Sequence, residues 1–403
     1  MPRHLPLATF LAATLLLAAC TDSADTPPPP GASATVEATP TLAAPSTPAR
    51  SPTPVEATPT PAPTPIPLAA LDLPAARILY QCDPGWCVID PSEGTSTSLA
   101  GLPPFATFVT PSPSGALLAY YEHDTNRQWL AVAAIDGTSP RRLIELRPVH
   151  DPVPPAWSPD ETTIYVERGP PEDAGGIGGD IDILAVDLAS GAATLLVDTD
   201  FFAGGPQPSP DGSTVAYMYQ QPEAGGGSGI ATVPSSGGDP FHLTGDPTIN
   251  LSPAWLPDGR IVFVASRQGA RGSYELWLME ADGSNVTNLS NHPATDIVLP
   301  VGHFAPAVSP DGQWVAFQSD RSGTLELHIA RADASEVRQF TVAADATAGV
   351  PAWSPDAAFL AYSATIEGRR GIWLTRIADG ATAYLVDGRR PRWLPAAKAG
   401  APQ

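Results

Sequence analysis

The chain has 403 residues, 49 of them Pro and 35 Gly, with 43 % hydrophobic residues and a net charge of −21. Proline at this density excludes long helices and coiled coils, because each interior Pro removes a helical hydrogen bond and collides with the preceding turn. The acidity excludes nucleic-acid binding and polybasic attachment to anionic lipid, while the apolar content suffices for one or two packed domains.

Residues 1–19 read as an export signal, with Arg3 at the start and an uncharged, mostly apolar run from Leu5 to Leu17. That run is too short to span a bilayer. It ends Leu17-Ala18-Ala19-Cys20, which resembles the lipobox of bacterial lipoproteins. The resemblance implies cleavage before Cys20, acyl chains on Cys20, and a protein held by lipid on the outer face of a bacterial membrane, at the cell surface or in the periplasm. Two or more acyl chains anchor stably where one is marginal.

Residues 20–76 carry 15 of the 49 Pro among Thr, Ala and Ser, with few large apolar side chains. Such a segment cannot build a core and reads as a disordered linker. Alternation such as Thr58-Pro59-Thr60-Pro61-Ala62-Pro63 favours extended polyproline geometry at about 3.1 Å per residue.

Residues 77–395 repeat one short phrase: Ser112-Pro113-Ser114-Gly115, Ser158-Pro159-Asp160, Ser209-Pro210-Asp211-Gly212, Leu256-Pro257-Asp258-Gly259, Ser309-Pro310-Asp311-Gly312, Ser354-Pro355-Asp356, and a truncated Leu394-Pro395. The Pro positions 113, 159, 210, 257, 310, 355 and 395 differ by 46, 51, 47, 53, 45 and 40. One such period suits a four-stranded propeller blade. Around Leu256-Pro257, for example, strands are expected near Ala254 and Trp255, at 261–265, at 275–280 and at 286–289, with a tight turn at Ala281-Asp282-Gly283-Ser284. The chain enters with three strands, at 77–80, 87–90 and 96–99, and leaves with a single one at 391–395. Pairing these ends closes a composite blade, three strands plus one, and removes two exposed edges. The expected fold is therefore all-β, a seven-bladed propeller of four-stranded blades, with residues 396–403 as a disordered tail. All nine Trp fall inside the repeats at recurring positions, which predicts packing between blades.

The repeat resembles the TolB-type, WD-like propeller repeat. The residues that carry the likeness are Pro253-Ala254-Trp255-Leu256-Pro257-Asp258-Gly259 with Ile261-Val262-Phe263, and Ser309-Pro310-Asp311-Gly312-Gln313-Trp314. The resemblance implies a propeller fold over about 320 residues and, for function, a family that includes envelope partner-binding proteins and gating domains of peptidases.

Cys82 and Cys87 flank a turn phrase between two expected strands, which predicts a disulfide in an exported protein; a metal pair would need a second Cys or His pair nearby. The phrase Asp residues, Asp160, Asp211, Asp258, Asp311 and Asp356, recur at one position of the repeat and read as turn groups, so no catalytic residue is assigned. The long loops leave on the opposite face, and the candidate ligand-face residues there are His123, Asp124, His150, Asp200, Phe201, Phe202, Asp246, His292, His303, Asp320 and Arg321, with Asp182 and Asp198 adding carboxylates. A mouth of this kind suits a protein, peptide or glycan of the cell envelope, and its carboxylates suit structural Ca²⁺. The expected function is a non-catalytic binding or scaffold module. The alternative is a metal-dependent, lyase-like carbohydrate enzyme using His150, His292 and His303.

Overall fold

The computed structural model describes residues 65–124, 127–149, 152–170, 181–221, 227–245, 249–266, 274–290, 306–319, 326–340 and 351–395. Their strands form seven four-stranded antiparallel sheets. Blade 1 is the composite: Arg389–Trp393 pairs with Ile78–Cys82, followed by Gly85–Asp90 and Thr95–Ser98. Blades 2 to 7 follow in sequence, each a meander, and begin at Thr107, Ala156, Ala203, Asn250, Ala307 and Ala352. From blade 3 round to blade 1 the first strands of successive blades touch one another, so they line the axis of the ring. Among the described residues no helix is long and apolar enough to cross a membrane.

The phrase forms the turn between the first and second strands. In four blades the Ser hydroxyl donates to the Asp carboxylate at 2.5–2.6 Å. The same Asp accepts the N–H two residues on, in Thr162, Ser213, Gln313 and Ala358. The Ser oxygen in turn accepts the N–H five residues on. The phrase thus satisfies its own backbone, and its Asp residues are turn groups. Its fourth residue has positive φ in all six full copies: Gly115, Glu161, Gly212, Gly259, Gly312 and Ala357. Where that residue is Gly, the preceding blade's Pro can pack over it; a Cβ at Gly312 would lie 3.2 Å from Pro257 Cδ.

Trp157, Trp255 and Trp353 stand just before the phrase, and each indole N–H donates to a first-strand carbonyl of the preceding blade, on Thr110, Gln207 and Ala307. The position reads Pro111, Trp157, Pro208, Trp255, Val308, Trp353, Trp393 around the ring. Seven positions cannot alternate a Trp with a smaller residue, so two Trp become neighbours at the closure. There the Trp393 indole N–H is buried without a hydrogen-bond partner among the described residues.

The ordered ring begins earlier than composition suggests. Ile66 N donates to Thr382 O at 2.9 Å, and Leu71 and Ala76 are buried with Phe359, Ile372, Leu374 and Trp393. The boundary at 76/77 thus misplaces 65–76, because sparse Leu and Ile among Pro and Ala can dock on a neighbour without forming a core of their own. This segment straps blade 7 to blade 1. Residues 1–64 and 396–403, with Cys20, lie outside the described residues.

Candidate functional site

The phrase turns and the third-to-fourth-strand turns share one face, where they bond to each other: Ile135 N to Ala116 O, Leu188 N to Thr162 O, Ser235 N to Ser213 O, Ile377 N to Ala358 O. The opposite face carries the variable loops. Its innermost layer is built on a feature that recurs in blades 1, 2, 4 and 5. In each first strand two residues oppose a single aromatic: Arg390 and Pro391 face Tyr80, Phe108 and Val109 face Tyr120, Gly205 and Pro206 face Tyr217, Ser252 and Pro253 face Phe263. The leading residue takes φ of 53–67° at Phe108, Gly205, Ser252 and Arg390. These are bulges, which bend a strand and re-aim its groups.

The bulges stitch neighbouring blades around the axis. Gly205 N donates to Glu167 Oε1 at 2.9 Å, Ser252 N to Met218 Sδ at 3.0 Å, and Arg390 N to Ser363 Oγ at 3.0 Å. The acceptors occupy equivalent positions in the second strand of the preceding blade. Arg390 also places its guanidinium 5.2 Å from the Phe108 ring, joining the bulges of blades 1 and 2. In blades 1, 4 and 5 the bulge carries a sequence signal, a Pro three residues ahead of the phrase, as Pro391, Pro206 and Pro253; blade 2 has Val109 there, and blades 3, 6 and 7 have Pro155, Pro306 and Pro351. In blade 3 a second Pro, Pro154, takes the bulge position; it has no N–H to donate, and proline cannot adopt positive φ.

Two buried carboxylates fasten the loops of blade 3. Glu167 accepts Gly205 N and, at 3.2 Å, Val153 N. Asp182, with 1 % exposure, accepts Arg168 Nε at 3.0 Å and Thr199 N at 3.4 Å, and lies 3.8 Å from Arg147 Nη2. Buried charges require such pairing, and both groups hold backbone from separate loops. Asp182 is therefore a structural knot and not a lining group of an open mouth, which corrects the sequence expectation. Neither Glu167 nor the two Arg stood out in sequence, because their partners are distant and unrepeated.

Of the predicted ligand-face residues, His123 Nε2 sits 2.9 Å from Thr107 Oγ1 and edge-on to Tyr121, and burial lowers its pKa. Asp124 accepts Arg127 N at 3.1 Å. Phe201 is 43 % exposed on fixed backbone: its carbonyl accepts Ile181 N and its N–H donates to Thr199 Oγ1. Phe202 lies across Gly204, where a Cβ would come 2.6 Å from its ring. Asp200 is exposed beside them. The His123 pair belongs to the second-to-third-strand loop of blade 2, and the Asp200–Phe202 run to the connection between blades 3 and 4. His150, Asp246, His292, His303, Asp320 and Arg321 lie outside the described residues. Among the described residues no group of three or more His, Cys, Asp or Glu is placed to hold a metal. Cys82 and Cys87 are disulfide-bonded across the hairpin of blade 1, with Cα atoms 5.8 Å apart.

No protein-family model matches the chain. A TolB homologue from Chlorobaculum tepidum is 33 % identical over 121 residues, which make up 30 % of this chain and 25 % of that protein. The propeller is TolB-like. The aligned part spans about a quarter of that curated relative, so the likeness concerns the repeat. Two solved structures share the fold of this TolB-like ring. An oligogalacturonate lyase in complex with manganese is 14 % identical and superposes with a TM-score of 0.56 over 78 % of this chain and 85 % of that one. A puromycin-hydrolysing peptidase of Mycobacterium tuberculosis is 16 % identical, also at 0.56, over 85 % of this chain and 57 % of its own.

Proposed function

We propose that the chain is a non-catalytic binding or scaffold module of the bacterial envelope, exported and held to the outer face of a membrane by acyl chains on Cys20. The observation that carries this reading is the composition of the loop face. In blade 3 the buried carboxylates Glu167 and Asp182, with the part-buried Arg168 and Arg147, are engaged in holding loops, whereas Phe201 and Asp200 are presented to solvent on fixed backbone. A rigid aromatic on a polar surface is the usual anchor of a protein, peptide or glycan interface. The strap at 65–76 enters on the phrase side, at Thr382, opposite the loop face.

Two experiments test it. Metabolic labelling with a fatty-acid analogue should mark the wild type and spare Cys20→Ala; labelling of both rejects the anchor. Crosslinking in cells from a photoreactive residue at Phe201 should trap an envelope partner that the same probe at Phe241, on an outer strand, does not. The fold shared with a manganese-bound lyase favours one second reading, a metal centre on His150, His292 and His303. Metal analysis of protein purified without chelator decides it: stoichiometric manganese lost on replacing those His supports the enzyme.

A further inference from the structure

On the phrase side the axis opens into a depression of about 450 Å³ that reaches from blade 2 to blade 6. Trp157, Gln207, Pro208 and Trp255 form its floor and walls, with Pro113 and Pro306 at opposite ends. Among the described residues no charged side chain lines it, in a chain whose net charge is −21. Both indole N–H groups are already spent on Thr110 and Gln207 carbonyls, so Trp157 and Trp255 offer ring surface. Gln207 is half-buried and supplies an amide. Aromatic and proline walls with a single amide select an uncharged, extended, proline-rich peptide, whose polyproline conformation is preformed and loses little entropy on docking.

The chain carries such a peptide on the same side. Ile66 is fixed to Thr382, at the third-to-fourth-strand turn of blade 7, and that turn bonds to the phrase turn through Ile377 N and Ala358 O. The sequence ahead of it, from Pro52 to Pro63, holds Pro52, Pro54, Pro59, Pro61 and Pro63 and one charge, Glu56. Twelve polyproline residues cover about 37 Å at 3.1 Å each. Strands about 4.8 Å apart put the inner strand of blade 7 about 14 Å from its outer one, so this length reaches the axis. We infer that the segment 52–63 docks in cis in the axial depression between Trp157 and Trp255. A short tether gives an effective concentration in the millimolar range, so a weak intrinsic site is occupied. The inference stands independently of what the loop face binds.

The test uses the full chain and a fluorescent synthetic peptide with the sequence of residues 52–65. In wild type the site is occupied by its own segment. A chain with all five Pro of 52–63 replaced by Ser should therefore bind the peptide at least tenfold more tightly than wild type, by anisotropy. In that background Trp255→Ala should abolish binding. Gln207→Glu, which puts a charge into the uncharged pocket, should also abolish it and serves if the Trp variant melts early. Equal affinity of the wild-type and Ser chains, no binding to either, or binding indifferent to both pocket variants overturns the inference. Concentration-dependent dimers of the wild type that the Ser replacements dissolve would overturn docking in cis in favour of a second copy.

Discussion

The two faces of the ring are built by opposite means. On the phrase face four blades repeat one self-satisfied turn, in which Ser, Asp and a positive-φ residue close local hydrogen bonds within six residues. On the loop face single groups such as Asp182 and Glu167 tie together loops far apart in sequence. A repeated turn spreads its stabilisation over many small equal terms, whereas a buried ionic knot concentrates it. Substitutions should therefore cost little each on one face and much on the other.

The closure is the exception on which both faces depend, and it gives the largest expected effect. Removing Arg389–Gln403 takes away the first strand of blade 1, with buried Trp393 and Leu394. It leaves Ile78–Cys82 as an open edge beneath the strap. We expect loss of at least about 5 kcal/mol, a large part of a domain's total, seen as a broad low-temperature melt with exposed apolar surface. A truncation as stable as the parent would show that the composite blade does not close the ring.

Asp182→Ala comes next. It leaves Arg168 and Arg147 without their carboxylate and frees Thr199 N. The two guanidinium groups that remain are 27 % and 32 % exposed and partly solvated, so losing their charged hydrogen bonds should cost about 1.5–3 kcal/mol. Removing the exposed pair of Arg376 and Asp379 on the phrase face should cost far less, because water screens both groups. Denaturant melts of both variants test the contrast between the faces, and equal costs would erase it.

What sequence revealed follows the same division. The phrase, the blade period and the unpaired ends were legible because each is repeated or complementary within the chain. The Cys82–Cys87 hairpin was legible because its partners are close in sequence. The bulges at Gly205, Ser252 and Arg390 leave a trace, the Pro that follows each, but it reads as one more proline in a chain that has 49, and the bulge at Phe108, followed by Val109, leaves none. Glu167 and Asp182 leave none: a carboxylate at the end of a strand is equally suited to solvent, and only the folded arrangement brings Val153, Gly205 and Arg147 to it. The strap at 65–76 was hidden by composition, since its few apolar residues are buried by blades 7 and 1 and not by one another.

Smaller effects sharpen the picture of the phrase face. Gly312→Ala places a Cβ at φ of 69° and 3.2 Å from Pro257 Cδ, and should cost about 1–2 kcal/mol. Ala357→Gly relieves positive φ at the equivalent position of blade 7 but loosens the unfolded chain, so it should change stability by no more than about 0.5 kcal/mol. If both substitutions were neutral, the repeated φ would be incidental to the turn.

The faces should also separate by pH. Turn carboxylates on the phrase face, Asp136, Asp160, Asp187, Asp211, Asp282 and Asp333, have pKa values lowered, first by Ser or Thr hydroxyls and then by backbone N–H groups. Asp379 is lowered to about 2, chiefly by Arg376. A carboxylate whose pKa is lower folded than unfolded stabilises fully above the unfolded value, near 3.8, and loses that contribution as pH falls through the folded value. These groups should therefore act together below about pH 4. His123, on the loop face, also has a lowered pKa, but from burial, so its contribution is present above its unfolded value, near 6.5, and fades as pH falls below it. Melting temperature followed from pH 7.5 to 3 should fall in two stages. His123→Asn should remove the pH dependence of the upper stage and leave the acid stage in place. A single transition below pH 4 in the wild type would mean that His123 remains open to protonation without cost, and that the loop face around Thr107 and Tyr121 is looser than the phrase turns.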